Sequence, residues 1–358
     1  MKKIAIVTLF DYINIGNKLQ NYALQKVLEE LGYEPETIAC SDLFYIKKPK
    51  RKIKAALGLF IHRFRHDCLY FKRYFIFRNK TGKLIHATPN LTMKQIYSEY
   101  NKYDGYLVGS DQVWHDWKED PEEMNYRFLK FVPQNKRMCY APSFGFDTLS
   151  KEQEAVYREG LNGFDVLSSR EQSGCDIEEA LTGKKAALLC DPTMLLTENE
   201  WDRISEKPPY SIPDNFVLVY FLSPLSESQS DLINAYAKEN DCRIIDIFNP
   251  ECGEYYFTTP QGFLYLIKRA KYVFTNSFHG TVFSIIYHKQ FSVFLREGSA
   301  SQMNGRTNTL LTQFSVGQRL NNVCKSAIDY DHIDVLLSTE RKKGMKYLTD
   351  ELLRITKS

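Results

Sequence analysis

Apolar and polar positions along this chain fall into two alternating series, and each predicts short strands separated by helices. Ile4 to Leu9 is a largely apolar run of strand length. After the polar loop around Gly16, the apolar residues Leu19, Tyr22, Ala23, Val27, Leu28 and Leu31 recur at helical spacing, and Gly32 stands where that helix has to stop. Tyr33 to Ala39 reads as a second strand. Tyr106 to Gly109, Met138 to Ser143 and Val166 to Ser169 are further short runs, each followed by polar residues. From near Leu188 the pattern starts again: strand 216–222, helix near 228–239, strand 243–248, helix near 261–270, strand 272–275, helix near 280–288 and strand 291–295. The segment from Ile333 to Ile355 has helical periodicity and is placed to pack back across a domain boundary.

Strands alternating with helices build open parallel sheets. Two such series predict an α/β protein of two Rossmann-like domains facing a central cleft, the arrangement of the glycosyltransferase B fold. A chain of 358 residues also suits two cores better than one. The expected division is residues 1–186 and 187–332, with the helix in 333–358 returning to the first. Ligands of open α/β sheets bind at the carboxyl ends of the strands, so the polar tips Ser110–Asp111, Ser143 and Arg170 are expected to share one rim.

Composition narrows the classes. A hydrophobic content of 43% with 25% charged residues is that of a soluble globular protein, and a net charge of +3 argues against a nucleic-acid partner. The eight cysteines include no Cys-x-x-Cys pair and sit mostly in apolar runs, which reads as reduced, buried thiols and gives no metal site. The opening residues lack the small-residue cleavage site of a signal peptide, and no window approaches the length of a membrane span, so a cytoplasmic location is expected. Charge is uneven along the chain. Between Lys47 and Lys80 there are twelve Lys and Arg residues and one acid, Asp67, interleaved with aromatics such as Phe60, Phe64, Tyr70, Phe71, Phe75 and Phe77. Such a stretch suits peripheral contact with an anionic membrane, here the inner face, and equally suits a helical pair with an apolar inner face and solvated charges.

Candidate chemistry lies at the strand ends. The first loop, with Asn14, Asn17 and Gln20, leads into a helix whose free N–H groups suit an anion or sugar hydroxyls; a simple helix cap at Asn14 or Asn17 accounts for it as well. It lacks Gly-x-Gly-x-x-Gly, which sets a nicotinamide enzyme aside. Gly109-Ser110-Asp111-Gln112-Val113-Trp114 places a carboxylate where an acceptor hydroxyl is gripped or deprotonated, although a cap at Asp111 is the simpler reading. Arg170, directly after a strand, offers a rigid fork for carboxylate or phosphate, and the adjacent Glu171 is poorly placed to pair with it. Asn276-Ser277-Phe278-His279 puts an imidazole at a helix N-terminus, suited to proton transfer beside a bound phosphate; a packed or capping histidine is the plainer alternative. The loop carrying Arg306 reaches the same cleft or is an ordinary solvated loop.

These segments, in this order, resemble the polysaccharide pyruvyltransferase family: Asn14-Ile15-Gly16-Asn17, Val108 to Trp114, Tyr140-Ala141-Pro142-Ser143-Phe144-Gly145, Ser168-Ser169-Arg170-Glu171, Asp191-Pro192-Thr193 and Thr275 to Gly280. The resemblance implies a transferase of cell-surface polysaccharide or exopolysaccharide biosynthesis. Its co-substrate would be phosphoenolpyruvate, with no cofactor and no metal, and its acceptor a sugar, free or lipid-diphosphate-linked. It further implies an acceptor-binding first domain, through Asn14, Asn17, Gln20, Ser110, Gln112, Trp114 and Ser143, and a donor-binding second domain. Arg170, His279, Ser277 and Asn276 would hold the donor, with His279 as the acid and Asp111 assisting the sugar hydroxyl. The family carries an arginine two residues before that histidine, where this chain has Ser277, so Arg306 or Lys18 has to supply the charge. A nucleotide-sugar-dependent glycosyltransferase of the same fold, or a non-catalytic scaffold in polysaccharide assembly, are the other functions that suit these residues.

Overall fold

A computed structural model describes residues 1–10, 13–43, 64–82, 84–115, 121–296, 298, 303–324 and 326–357. Four strands, β1 (Lys2–Val7), β2 (Tyr33–Thr37), β3 (Gly105–Val108) and β4 (Arg137–Cys139), form a parallel sheet in the order β2-β1-β3-β4. A parallel pair, β5 (Leu167–Ser169) with β6 (Ala186–Leu188), leans on β4. A second parallel sheet holds β7 (Phe216–Tyr220), β8 (Arg243–Asp246), β9 (Tyr272–Thr275) and β10 (Phe291–Val293) in the order β10-β9-β7-β8. Parallel sheets are covered on both faces, which is why β1 and β7 read as continuous apolar runs: Ile4 to Val7 and Val217 to Tyr220 are wholly buried.

The strands are shorter than the apolar runs that announce them. The run from Met138 to Ser143 leaves its ladder at Cys139, because Ala141 turns into the left-handed region at φ 48°. The same departure brings Pro142 and Ser143 over the rim instead of along the sheet. Cys40, Cys139, Cys175 and Cys190 are buried and unpaired, as the apolar runs suggest. Cys242, Cys252 and Cys324 are free but half-buried.

Two long-range helices tie the halves together. The helix Tyr330–Thr356 leaves the second half and runs back over the first. Arg341 donates to the carbonyls of Met194 and Leu196 (2.7 and 2.8 Å), Arg354 pairs with Asp165 (2.7 Å), and Ile355 packs so closely on β3 that a Cβ on Gly105 would meet its side chain at 2.4 Å. The helix Phe64–Thr81 reaches the other way. Its buried Arg73 donates to the carbonyl of Ile247 (2.9 Å) and lies over the rings of Phe248 (4.2 Å) and Tyr256 (4.7 Å), while Lys72 sits over Phe257 (4.4 Å). One face of this basic helix is therefore a contact between halves. The first part of the basic stretch, residues 47–63, lies outside the described residues.

Candidate active site

Three strand ends are laced into one rim. Asp111, just beyond β3, bridges to Pro142: Ser143 N donates to its carbonyl (2.8 Å) and Trp114 N donates to the carbonyl of Ser143 (3.2 Å). Arg170 N, just beyond β5, donates to the carbonyl of Pro142 (3.2 Å). Asp111 adopts φ 74°, a conformation that aspartate tolerates better than most residues. It starts no helix: its Oδ1 accepts from its neighbour Gln112 N (2.9 Å) and its Oδ2 from the Asn17 amide (3.2 Å). That corrects the simpler reading of Asp111 as a cap and turns its carboxylate toward the junction of the halves.

Arg170 and His279 meet there through a residue to which the sequence assigned no role. Asp191, fully buried, accepts from Arg170 Nη1 (2.6 Å) and Ser110 Oγ (3.0 Å) on Oδ2, and from Thr193 N (3.0 Å) and Oγ1 (2.6 Å) on Oδ1. His279 Nε2 stands 3.6 Å from Asp191 Oδ2, and Arg170 Nη2 stands 3.7 Å from Asp111 Oδ1. The guanidinium of Arg170 also lies over Phe278, 4.2 Å from the ring centre. On the opposite side the imidazole touches the first turn of the Ile15–Glu30 helix, where a Cβ on Gly16 would fall 2.1 Å from Nδ1.

The charges are strongly coupled. Burial raises the Asp191 carboxyl, but His279 first and then Arg170 and Thr193 outweigh it and hold it far below the usual carboxylate range. Burial likewise works against Asp111, and Arg170, His279 and Arg306 hold it low. Burial opposes the charge of Arg170, yet Asp191, Asp111 and Glu171 keep its pKa above the ordinary arginine value. Arg306 is the exception: burial, and then the nearby Arg170 and Arg296, push it down to about 9, and Asp111 and Glu171 offset this only in part. Among the described residues, Arg170 Nε and Nη2, His279 Nε2 and Arg306 Nε are buried without a hydrogen-bond partner. Buried nitrogens crowded together and unsatisfied, two of the three groups being guanidiniums, make a place suited to an anion with several oxygens.

The other candidates divide between this cluster and the framework. Ser277 is the N-cap of the Phe278–Ile286 helix, its Oγ accepting from Gly280 N (3.4 Å), so it sets the direction of the helix that carries His279. Asn276 holds the loop after β7, accepting from Leu222 N and donating to Ser223 Oγ (both 2.7 Å). Asn14 caps the first helix, accepting from Asn17 N (3.0 Å). Gln20 donates to Thr8 Oγ1 (3.0 Å), which donates to the carbonyl of Ser110 (2.8 Å). Ser143 Oγ and Gln112 Nε2 are buried at the rim without partners among the described residues. Trp114 does not reach it: the indole is wholly buried against Phe128, Phe144 and Phe164 and donates to the carbonyl of Arg127 (3.4 Å), so as a contact for a sugar it is corrected to a core residue. Lys18 is also elsewhere. Its ammonium lies 3.7 Å from the centre of the Phe10 ring, lining with Arg78, Ile85 and Thr88 a cavity of about 190 Å³ that shares no residue with the Arg170–His279 cluster. Of the two cations expected to replace the absent arginine, the structure brings Arg306 to the cluster and adds Arg296, whose Nε donates to the carbonyl of Asn276 (3.4 Å).

Comparison with known proteins adds a family and a fold. The sequence matches the family model described as polysaccharide pyruvyl transferase over residues 14–297. No curated protein matched it. Among solved structures, UDP-GlcNAc 2-epimerase from Neisseria meningitidis bound to UDP-GlcNAc superposes with a TM-score of 0.51 at 11% identity, covering 99% of this chain and 100% of that one. The same enzyme from Methanocaldococcus jannaschii, in complex with UDP-GlcNAc and UDP, superposes with a TM-score of 0.50 at 13% identity, covering 97% and 98%. At such identities the likeness is one of fold: two Rossmann-like domains across a cleft, the GT-B architecture.

Proposed function

Because the chain belongs to the polysaccharide pyruvyl transferase family, we propose that the cluster between its halves binds phosphoenolpyruvate and transfers the pyruvyl group to a sugar as a cyclic ketal. The observation that carries this reading is the set of buried, unsatisfied donors on Arg170, His279 and Arg306. Phosphoenolpyruvate presents two anionic groups on a three-carbon frame. Its carboxylate suits the fork of Arg170. Its phosphate suits Arg306 and the start of the Phe278–Ile286 helix, where backbone N–H groups favour negative charge.

The chemistry then follows the charges. His279 gives a proton to the methylene carbon, which becomes a methyl group and leaves C2 electrophilic. A sugar hydroxyl, deprotonated with help from Asp111, bonds to C2; the bond from C2 to the bridging oxygen breaks and inorganic phosphate leaves with its electron pair. A second hydroxyl adds to C2 as the ketal closes, and its proton passes to the departing phosphate. One phosphoenolpyruvate and one sugar diol thus yield one pyruvyl ketal and one phosphate. Ser110, Gln112, Ser143, Asn17 and Gln20 line the acceptor's side of this scheme.

Incubation with phosphoenolpyruvate and a panel of nucleotide-linked and lipid-linked sugars tests it, with products read by mass and phosphate by release. A sugar heavier by one pyruvyl unit, formed with equimolar phosphate, is expected, and His279→Asn is expected to slow it by about 10² to 10⁴, the usual share of a general acid. Release of nucleoside diphosphate without phosphate would instead make the protein a glycosyltransferase. If the donor is neither consumed nor raises the melting temperature, a scaffold remains.

An acceptor on a lipid diphosphate would be met at the membrane surface. No helix among the described residues is long and apolar enough to cross a membrane. The helix Phe64–Thr81 nevertheless leaves Phe71 and Phe75 exposed, four residues apart, beside Lys72 and Arg78. The protein is expected to float with vesicles of acidic lipid at moderate salt, and less so as the variant Phe71→Ser with Phe75→Ser; failure of the parent protein to float would end the membrane reading.

A further inference from the structure

We infer that Asp191 is the positioning residue of this site: one buried carboxylate oxygen aims both the guanidinium of one half and the imidazole of the other. The inference rests on His279 serving as the acid proposed above. Asp191 Oδ1 is fixed by the backbone N–H and hydroxyl of Thr193 (3.0 and 2.6 Å), so the carboxylate cannot swing. Its other oxygen faces Ser110 Oγ, Arg170 Nη1 and His279 Nε2 together, at 3.0, 2.6 and 3.6 Å. Asp191 itself stands at the N-cap of the short 3₁₀ turn Pro192–Met194, between the last strand of the first half and the second half. It therefore belongs to the joint of the molecule, and any shift between the halves moves Arg170 relative to His279 around this oxygen.

Its charge matters as much as its place. The carboxylates that face the imidazole are Asp191 and Asp111, and Arg170 stands against both of them. Asp191 stands within ion-pair distance of Nε2 in surroundings that exclude water, where attraction between charges is little screened. One oxygen thus holds Arg170 directly and faces His279 across the joint.

Asp191→Asn separates these roles, since it keeps the shape and removes the charge. The His279 ring signals, followed by proton–carbon NMR and assigned with His279→Asn, are expected to shift, because the oxygen that faces Nε2 at 3.6 Å loses its charge and its hold on Arg170. Turnover with phosphoenolpyruvate should fall by about tenfold or more, with kcat affected more than KM. Thr193→Val keeps the charge and loses only the 2.6 Å bond; it is expected to lower kcat by about tenfold or more, the loss expected when a supporting hydrogen bond no longer holds a catalytic group in line. Unmoved ring signals in Asp191→Asn, or full turnover in Thr193→Val, overturn the inference. The NMR signals are read without substrate, so shifted signals in a protein that ignores phosphoenolpyruvate would refute the proposed reaction and leave the role of Asp191 standing.

Discussion

Arg170→Ala is expected to lower the unfolding free energy by about 3–5 kcal/mol, because it strands a buried carboxylate whose partner is gone. Asp191 is wholly buried and takes its shortest hydrogen bond to a charged donor, 2.6 Å, from Arg170. The effect has a sign with pH. The folded-state pKa of Asp191 is depressed, so its contribution is complete above the carboxylate pKa of the unfolded chain, about 3.9, and fades as pH falls through the lower folded value. Urea unfolding of the parent protein should therefore lose stability on acidification more steeply than Arg170→Ala, and the two should draw together in acid. The same variant should lose turnover at every pH, since a donor carboxylate would have no fork to meet. Parent-like stability at neutral pH would mean that Asp191 is satisfied without Arg170.

Gly16→Ala is expected to have the second largest effect, on turnover more than on folding. The added methyl would lie 2.1 Å from His279 Nδ1 and 2.4 Å from Cγ, distances that no relaxed structure keeps. The imidazole has to move, and it is held on its other side at Asp191. Overpacking of this kind costs about 1–3 kcal/mol, while displacing a reacting group by about 1 Å can cost a hundredfold in rate. Turnover per folded molecule, measured below the melting transition, separates the two losses. Full activity in Gly16→Ala would show that the position of the ring is not critical.

The alternation of apolar runs announced both parallel sheets, because strands covered on two faces must be apolar throughout and the helices between them must carry a stripe. It also placed Ser110, Asp111, Ser143 and Arg170 on one rim, since the rule that ligands meet carboxyl ends needs only the strand boundaries. Side-chain direction was harder to read. Trp114 lies three residues from Asp111 and belongs to the core, and Lys18, next to Asn17, turns to Phe10, because a turn or a helix step sends neighbours to different faces. Asp191 was hidden for another reason. An aspartate before Pro-Thr looks like any capping turn, and it does cap one; its second oxygen is used by residues that are distant in sequence, which no local pattern encodes. Arg296 was missed likewise, standing in the loop three residues beyond β10, where a basic residue is unremarkable. Gly16 stood inside a quoted motif, yet only the approach of His279 explains why that position has no side chain.

The helix Tyr330–Thr356 closes over β3 from the far end of the chain, with Gly105 beneath Ile355 and Gly344 beneath Tyr140. Translation delivers β3 and β4 long before it delivers that cover. During synthesis the first sheet thus leaves the ribosome with an apolar flank bare, held open until the entire second half has been made. Completion of the earlier-made half is thereby deferred to the last helix, and a nascent chain stalled before it would offer chaperones a persistent greasy surface.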